Sequence, residues 1–494
     1  MEWISRFGSP TVESRMSPSP KPTMMSQSPK PTMLQRTPSQ IRARVFRRSV
    51  AGLCCGLQLA SCGKATEAPL DPPNPTPATP ATPATPNVLL ILADDFGAES
   101  SALYPTLAGA NAVSMPNIAG LAAKGLVFDN AWTNPMCSPT RAAVLTGLYG
   151  NRTGVTDAGD VMPNSTTTLF EYLTSKSTAR YDMAVFGKWH LGGNVGIQHV
   201  RDAGVPKFRG FLGAGLTDYF RWDVMDLDGT TTTSTTYATT AITDYAITFL
   251  DDHTRTRPSD PWFLYVAYNA PHTPNQVPPV ALHSVNVGGL APGTTSNTTA
   301  VYRAMLQAMD TEIGRLLAKV DLTKTLVIFM GDNGTPANLK ESGSAVRGGK
   351  TSISEGGIRV PLVVAGTGVT RLGRDSSLIV STDLFATIGV AAGSGERVSG
   401  NSFSLQPLLT GSSASTGRTH AFTELCQPGV SRYAIRDSRY KLSYDTGVWG
   451  LFDLTNDRGE ANNLYASAAV ATTRASLETE LAKVRAAATA GCFR

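Results

Sequence analysis

At 494 residues the chain has the length of about three average domains, but one large α/β domain with appendages fits it equally well. Hydrophobic residues at 41% supply a sizeable core and charged residues at 16% are too few for a disordered chain, so most of the sequence is expected to be globular. The net charge of +5 draws on a cluster of Arg and Lys in the first fifty residues, and no nucleic-acid partner is expected from it.

The leader opens with a Ser/Pro/Lys-rich stretch in which Ser19-Pro-Lys-Pro-Thr-Met24 recurs as Ser28-Pro-Lys-Pro-Thr-Met33, a composition that cannot build a core. A basic run follows (Arg42, Arg44, Arg47, Arg48), then a mostly apolar stretch from Val50 to Ala60 and the tetrapeptide Leu59-Ala-Ser-Cys62. That order of charge, apolar run and small residues is a signal peptide. The tetrapeptide resembles the lipobox of bacterial lipoproteins, which implies export and a lipid anchor on Cys62, retained at the end of the 1–62 leader. The protein would then sit on a bacterial membrane, in the periplasm or at the cell surface. Residues 63–86, with repeated Ala-Thr-Pro units, form an extended spacer between anchor and body. No other segment has an apolar run of the roughly eighteen residues a spanning helix needs.

From Asn87 onward short apolar runs alternate with helical patterns, which predicts an α/β fold: a large, mainly parallel mixed sheet flanked by helices. Val301, Met305, Met309, Ile313, Leu316, Leu317 and Val320 recur at helical spacing and lead into an apolar strand at Leu326–Met330. The Thr-rich stretch 230–240 is expected to be a loop. After about residue 415 the pattern changes to short segments, Tyr433–Arg436 and Tyr440–Tyr444, with a terminal helix at Ala466–Ala488. The body therefore divides into a catalytic domain, 87–415, and a small antiparallel subdomain, 416–494.

Four apolar runs end in polar clusters: Val88–Leu92 in Asp94-Asp95, Met183–Phe186 in Lys188-Trp-His190, Phe263–Tyr268 in Pro271-His272, and Leu326–Met330 in Asp332-Asn333. In open α/β sheets ligands bind beyond the carboxyl ends of the strands, so the four can converge on one crevice. Adjacent Asp94 and Asp95 would face opposite ways within a strand and must lie past its end to act together. Either acidic pair alone would be an ordinary turn or cap. Together, three carboxylates and an amide concentrate charge that calls for a cation, and an all-oxygen set favours calcium or magnesium over zinc.

Cys137 opens Cys137-Ser-Pro-Thr-Arg141, followed by Ala-Ala-Val-Leu-Thr-Gly147. With Ser138 as N-cap, Pro139 at the first helical position and Gly147 near the end, this predicts a helix with Cys137 just before its start. Backbone N–H groups there favour an anion, and Arg141 lies one turn in. Beyond the leader and Cys62 only Cys137, Cys426 and Cys492 remain; three cannot all pair, so at least one has another use.

Cys-x-Pro-x-Arg followed by Leu-Thr-Gly resembles the signature of the formylglycine-dependent sulfatases, arylsulfatase-like members of the alkaline phosphatase superfamily. The family's other motifs follow in order: Asp94-Asp95, Gly187-Lys-Trp-His190, Ala270-Pro-His272-Thr-Pro, Gly331-Asp-Asn-Gly334, Arg347-Gly-Gly-Lys350 and Glu355-Gly-Gly-Ile-Arg-Val-Pro361, with Leu451-Phe-Asp-Leu-Thr-Asn456 near the end. Thr140 stands where Ser is common, and Phe96–Ser101 lacks the Gly-rich sequence usual after the Asp pair. The resemblance implies hydrolysis of sulfate monoesters, aryl or carbohydrate. It implies that a formylglycine-generating enzyme converts Cys137, and that Asp94, Asp95, Asp332, Asn333 and the modified Cys137 hold one calcium ion. Arg141, Lys188 and Lys350 would face the sulfate charge; His272, assisted by Lys350, would protonate the leaving oxygen, and His190 would then remove the proton of the hydroxyl remaining on the sulfated residue 137, so that the aldehyde reforms and sulfate leaves. His199, His253, His283 and His420 have no such context and are read as structural. Competing readings are a phosphate or phosphonate ester hydrolase of the same superfamily, for which two-zinc ligands are missing, a cysteine phosphatase, whose Cys and Arg stand further apart, and an inactive glycan-binding protein.

Overall fold

The computed structural model describes residues 85–109 and 112–493. The 1–62 leader with Cys62, and nearly all of the 63–86 spacer, lie outside the described residues. Ten strands form one sheet: β1 (Asn87–Ala93), β2 (Gly125–Trp132), β3 (Asp182–Lys188), β4 (Phe208–Phe211), β5 (Trp222–Asp226), β6 (Thr231–Ser234), β7 (Trp262–Ala267), β8 (Thr325–Gly331), β9 (Leu362–Gly366) and β10 (Gly373–Val380). Their order is β10-β2-β9-β8-β1-β7-β3-β4-β5-β6. The central strands β8, β1, β7, β3 and β4 run parallel, while β9 and β5 are reversed against their neighbours. The expected mainly parallel mixed sheet is what the chain forms.

β1 shows why its sequence is apolar throughout. Leu89, Ile91 and Ala93 enter one core and Val88, Leu90 and Leu92 the other, so helices must cover both faces of the sheet. The predicted helix spans Thr299–Leu317, its Thr298 cap accepting from Val301 N–H, and Val301, Met305, Met309, Ile313 and Leu316 are buried on one stripe.

The C-terminal region is an antiparallel sheet of β13 (Ala421–Gln427), β14 (Val430–Arg436), β15 (Tyr440–Asp445) and β16 (Val448–Asp453), preceded by a short ribbon of β11 (Val398–Ser399) and β12 (Ser402–Phe403). It packs Phe422, Ile435, Leu442 and Leu451 against Leu477 and Leu481 of the helix Ala471–Ala486. Cys426 and Cys492 are joined in a disulfide, leaving Cys137 as the free, buried cysteine among the described residues. No helix among them is long and apolar enough to cross a membrane.

Two local expectations are corrected. The Thr-rich stretch 230–240 is not a loop: Thr231–Ser234 pairs with β5 as the sheet's edge strand, and Ala238 begins the helix Ala238–Thr256. Thr is β-branched and tolerates the extended backbone, but an exposed edge strand shows no apolar alternation to read. The helix carrying Cys137 starts two residues early, at Cys137 itself with Met136 before it, and Ser138 is not its cap; the Ser138 hydroxyl instead donates to the Ala158 carbonyl. Gly147 ends it in the left-handed region (φ 69°), as its position suggested.

Candidate active site

The carboxyl ends of β1, β3, β7 and β8 lie side by side, Ala93 level with Gly331, and Leu92 and Gly187 both level with Ala267. The polar clusters that follow therefore meet in one crevice. Asp94 and Asp95 stand past the end of β1, as acting together required. Asp95 (φ 64°) and His190 (φ 55°) hold left-handed backbone conformations that cost a non-glycine residue free energy and turn their side chains inward.

Three cations meet three carboxylates there. Lys188 Nζ is 2.5 Å from Asp94 Oδ2, Arg141 Nη2 is 2.7 Å from Asp332 Oδ2 and 3.5 Å from Asp94 Oδ2, and Lys350 Nζ is 2.7 Å from Asp95 Oδ1. Asp332 Oδ1 accepts from the Asp95 N–H at 3.0 Å, and Asn333 Nδ2 donates to Asp95 Oδ1 at 2.8 Å. Arg141 is fully buried and also donates to the Lys188 carbonyl, so it braces the carboxylates more than it faces an open pocket. Ligand atoms of Asp94, Cys137 and Asp332 lie within 4.8 Å of one another, as do those of Asp94, Asp95 and His272. The structure thus brings together every predicted site residue: Asp94, Asp95, Cys137, Arg141, Lys188, His190, His272, Asp332, Asn333 and Lys350.

The charges are unevenly settled. Burial alone would raise Asp94, but Lys188, then His272 and Arg141, hold its carboxyl well below the usual range. Asp332 is pushed up to about 7 by burial and by the Asp94 charge, against the pull of Arg141 and Lys188. Burial raises the Cys137 thiol as well, with Asp94 and Asp332 adding to it and Lys188 opposing. Burial holds His190 well below the usual imidazole range, helped by Lys188 and Arg141, and burial also lowers His272. His272 Nδ1 lies 2.8 Å from the Thr273 carbonyl, which can only accept, so this nitrogen carries the proton and Nε2 faces Asp95 Oδ2 at 3.9 Å.

Two buried oxygens, Asp94 Oδ1 and Asn333 Oδ1, have no hydrogen-bond partner. Unpartnered buried acceptors are rare and costly, and two of them beside the Cys137, Asp94 and Asp332 group are what an oxygen-bound cation would satisfy. The donor set fits calcium.

Several supporting residues gave no signal in the sequence. Tyr302 donates to the Asp95 carbonyl at 2.8 Å from within an otherwise apolar helix face, and Tyr219 donates to the His272 carbonyl at 2.8 Å. The Thr335 hydroxyl accepts from Gly97 N–H at 3.1 Å. His199, read as structural, accepts from Trp189 Nε1 at 3.0 Å, next to His190. His253 is tied to Asp182 at the opposite end of β3, away from the crevice.

The chain is similar to known proteins in sequence and in fold. The Sulfatase family model matches residues 86–394, and a model described as N-sulphoglucosamine sulphohydrolase, C-terminal, matches residues 349–487. The uncharacterized sulfatase YdeN of Escherichia coli (strain K12) is 29% identical over 307 residues, covering 56% of this chain and 52% of that protein, so the chain spans about half of that relative's length. Arylsulfatase A of Homo sapiens is 27% identical over 451 residues, covering 78% of this chain and 84% of the relative. The crystal structure of Ps i-CgsB in complex with k-i-k-neocarrahexaose matches with a TM-score of 0.69 at 25% identity, covering 81% of this chain and 92% of that one.

Proposed function

The chain belongs to the sulfatase family, and from that premise we propose that it hydrolyses sulfate monoesters, sulfated carbohydrates among them, with Cys137 converted to formylglycine and one calcium ion held beside it. The observation that carries this is the placing of Cys137. Its side chain sits at a helix N-terminus within 4.8 Å of two carboxylates, and burial pushes its thiol up, away from the thiolate a cysteine phosphatase needs. A nucleophile made from this position is therefore better built on oxygen, as the hydrated aldehyde is. The carbohydrate class is supported by the Ps i-CgsB complex and by the glucosamine-directed C-terminal model.

Asp94, Asp95, Asp332, Asn333 and the modified residue 137 would hold the ion. When bound, calcium supplies positive charge that acidifies a hydroxyl and offsets the sulfate oxygens. The chain's own groups do the rest. Lys188 is fixed on Asp94 and Arg141 on Asp332, so their charges are preorganised around the site instead of being recruited during reaction. Lys350 and His272, at 16% and 14% side-chain exposure, reach toward solvent and meet the ester from the open side. His272 carries its first proton on Nδ1, so the proton delivered to the leaving oxygen is a second one on Nε2. The negative sulfate favours its uptake. His190, held neutral by burial and by Lys188, is suited to accept the proton of the hydroxyl that remains on residue 137 once sulfate has been transferred to it, so that the aldehyde reforms and sulfate leaves.

We further propose that a formylglycine-generating enzyme acts during maturation and that the protein is exported and held on a bacterial membrane through Cys62. The Cys426–Cys492 disulfide supports an oxidising compartment. The test of the reaction is turnover by the modified enzyme on a panel of aryl sulfates, sulfated glycans and matched phosphate esters, with metal analysis. Sulfate-selective turnover with one calcium per chain is expected; phosphate-selective turnover with two zinc ions would overturn the proposal.

A further inference from the structure

Lys350 enters the crevice from a stretch without regular structure, residues 347–354, whose backbone passes through left-handed conformations at Gly348 (φ 74°) and Thr351 (φ 73°). A β-branched residue holds such a conformation only where its surroundings impose it. The catalytic sheet side contributes part of the restraint. Lys350 N–H donates to the Thr335 carbonyl and Thr351 N–H to the Pro135 carbonyl, both at 2.9 Å, and Lys340 Nζ donates to the Gly348 carbonyl at 2.7 Å.

The C-terminal sheet supplies the other part. Arg432 on β14 donates to the Thr351 carbonyl at 3.1 Å, and Lys441 on β15 donates to the Ile353 carbonyl at 2.7 Å. Glu460, in the turn after β16, accepts from Glu355 N–H at 2.8 Å, while its own carbonyl accepts from Arg347 at 3.2 Å. Both ends and the middle of the stretch are thus tied to the C-terminal sheet. Lys441 is wholly buried, with its ammonium 2.9 Å from Glu460, 3.3 Å from Glu355 and 5.0 Å above the Trp132 ring. Burial would raise Glu355, but Lys441, then Arg359 and Arg436, hold it below the ordinary range, so the contact is between charges. Apolar packing would stabilise this place at least as well as a buried ion cluster. What the ions add is a fixed geometry for the backbone groups they grip.

We propose that Lys441, Glu460 and Arg432 are positioning residues for Lys350, so that the C-terminal sheet sets where the Lys350 ammonium stands. The proposal rests on the sulfatase reading of the crevice. Lys441 acts through Ile353 and Glu355, not by touching substrate.

The test uses the full chain bearing formylglycine, with Lys441→Met and Arg432→Met each made in the wild-type and Lys350→Ala backgrounds. Two quantities are read: kcat on an activated aryl sulfate and amide hydrogen exchange across residues 345–356. Lys441→Met is expected to lower kcat by about thirtyfold and Arg432→Met by about threefold, with faster exchange in the stretch and unchanged exchange in β1. In the Lys350→Ala background each should cost less than about twofold, because the group they position is gone. Equal losses in both backgrounds would overturn the proposal. So would unchanged exchange in Arg432→Met, a partly exposed site that leaves the buried cluster intact if Lys441→Met fails to fold. An enzyme inactive on every sulfate ester refutes the sulfatase reading instead, and the exchange result then decides the positioning claim alone.

Discussion

Two clusters of buried charge meet residues 347–355, one at Lys350 and one at Glu355, and they differ in how well they are satisfied. In the crevice, Asp94 Oδ1, Asn333 Oδ1, Arg141 Nε and His190 Nδ1 are buried without partners. Beneath the C-terminal sheet, Glu355, Lys441 and Glu460 are equally buried, yet none of their side-chain polar atoms is left unpartnered. Charge burial alone therefore does not mark a site. Unpartnered atoms also occur elsewhere, on Glu99 and Arg436 among others; what sets the crevice apart is that several of them converge beside the Cys137, Asp94 and Asp332 group, where a cation would complete the oxygens. Three non-glycine residues with left-handed backbones, Asp95, His190 and Thr351, lie in the crevice or directly beside Lys350, while Glu460 in the satisfied cluster is another, so such a backbone alone does not separate the two.

The sharpest way to break the comparison is to remove the groups that make the crevice unfinished. Cys137→Ala should reduce turnover on any sulfate ester by at least about a thousandfold with little change in thermal stability, since a small buried side chain is exchanged for a smaller one. Asp332→Asn should lose the bound calcium by metal analysis and at least about a hundredfold in kcat while remaining folded. Asp332→Ala should in addition cost about 3–5 kcal/mol, because it leaves the wholly buried Arg141 without its 2.7 Å partner. Retention of calcium by Asp332→Asn would put the ion elsewhere.

The two histidines should fail differently. His272→Ala should lose about tenfold more on a poor alcohol leaving group than on an activated phenol, which scarcely needs the proton. His190→Ala should release about one equivalent of an activated phenol in rapid mixing and then stall. Equal losses on both substrates, with no burst from either variant, would mean that the imidazoles bind sulfate together.

The smallest effect lies on the C-terminal side. Burial raises Glu424 on β13 to about 8, so its folded pKa exceeds its unfolded one. Between these values the unfolded chain holds fewer protons, and stability falls as pH rises from the ordinary carboxylate range to about 8. Glu424→Gln should flatten that slope in thermal melts by a few degrees and leave turnover unchanged. Asp332, raised to about 7, gives the same sign in calcium-free protein, and added calcium should remove its share.

Much of the crevice was legible because its residues follow apolar runs. Asp94, Lys188, His272 and Asp332 each come just after a strand or end one, and strand ends in a parallel sheet converge by topology. Cys137 and Arg141 were legible from a local helix pattern, although the cap was misplaced by two residues. What the sequence hid is single residues acting across long separations. Tyr302 reaches the Asp95 carbonyl over 207 positions and Lys441 the Ile353 carbonyl over 88, and neither sits in a pattern of its own. The left-handed backbones at Asp95 and His190 were equally hidden, since neither is the glycine or asparagine that announces one. β6 was missed because an edge strand of exposed threonines has no buried face to impose a period.

The central claim is that residue 137 works as an oxygen nucleophile derived from cysteine. Peptide mass spectrometry of fully active protein, on the fragment holding residues 137–141, tests it most directly. An aldehyde or its hydrate is expected at residue 137 in the same fraction as the active enzyme. An intact thiol at residue 137 in fully active protein would contradict it.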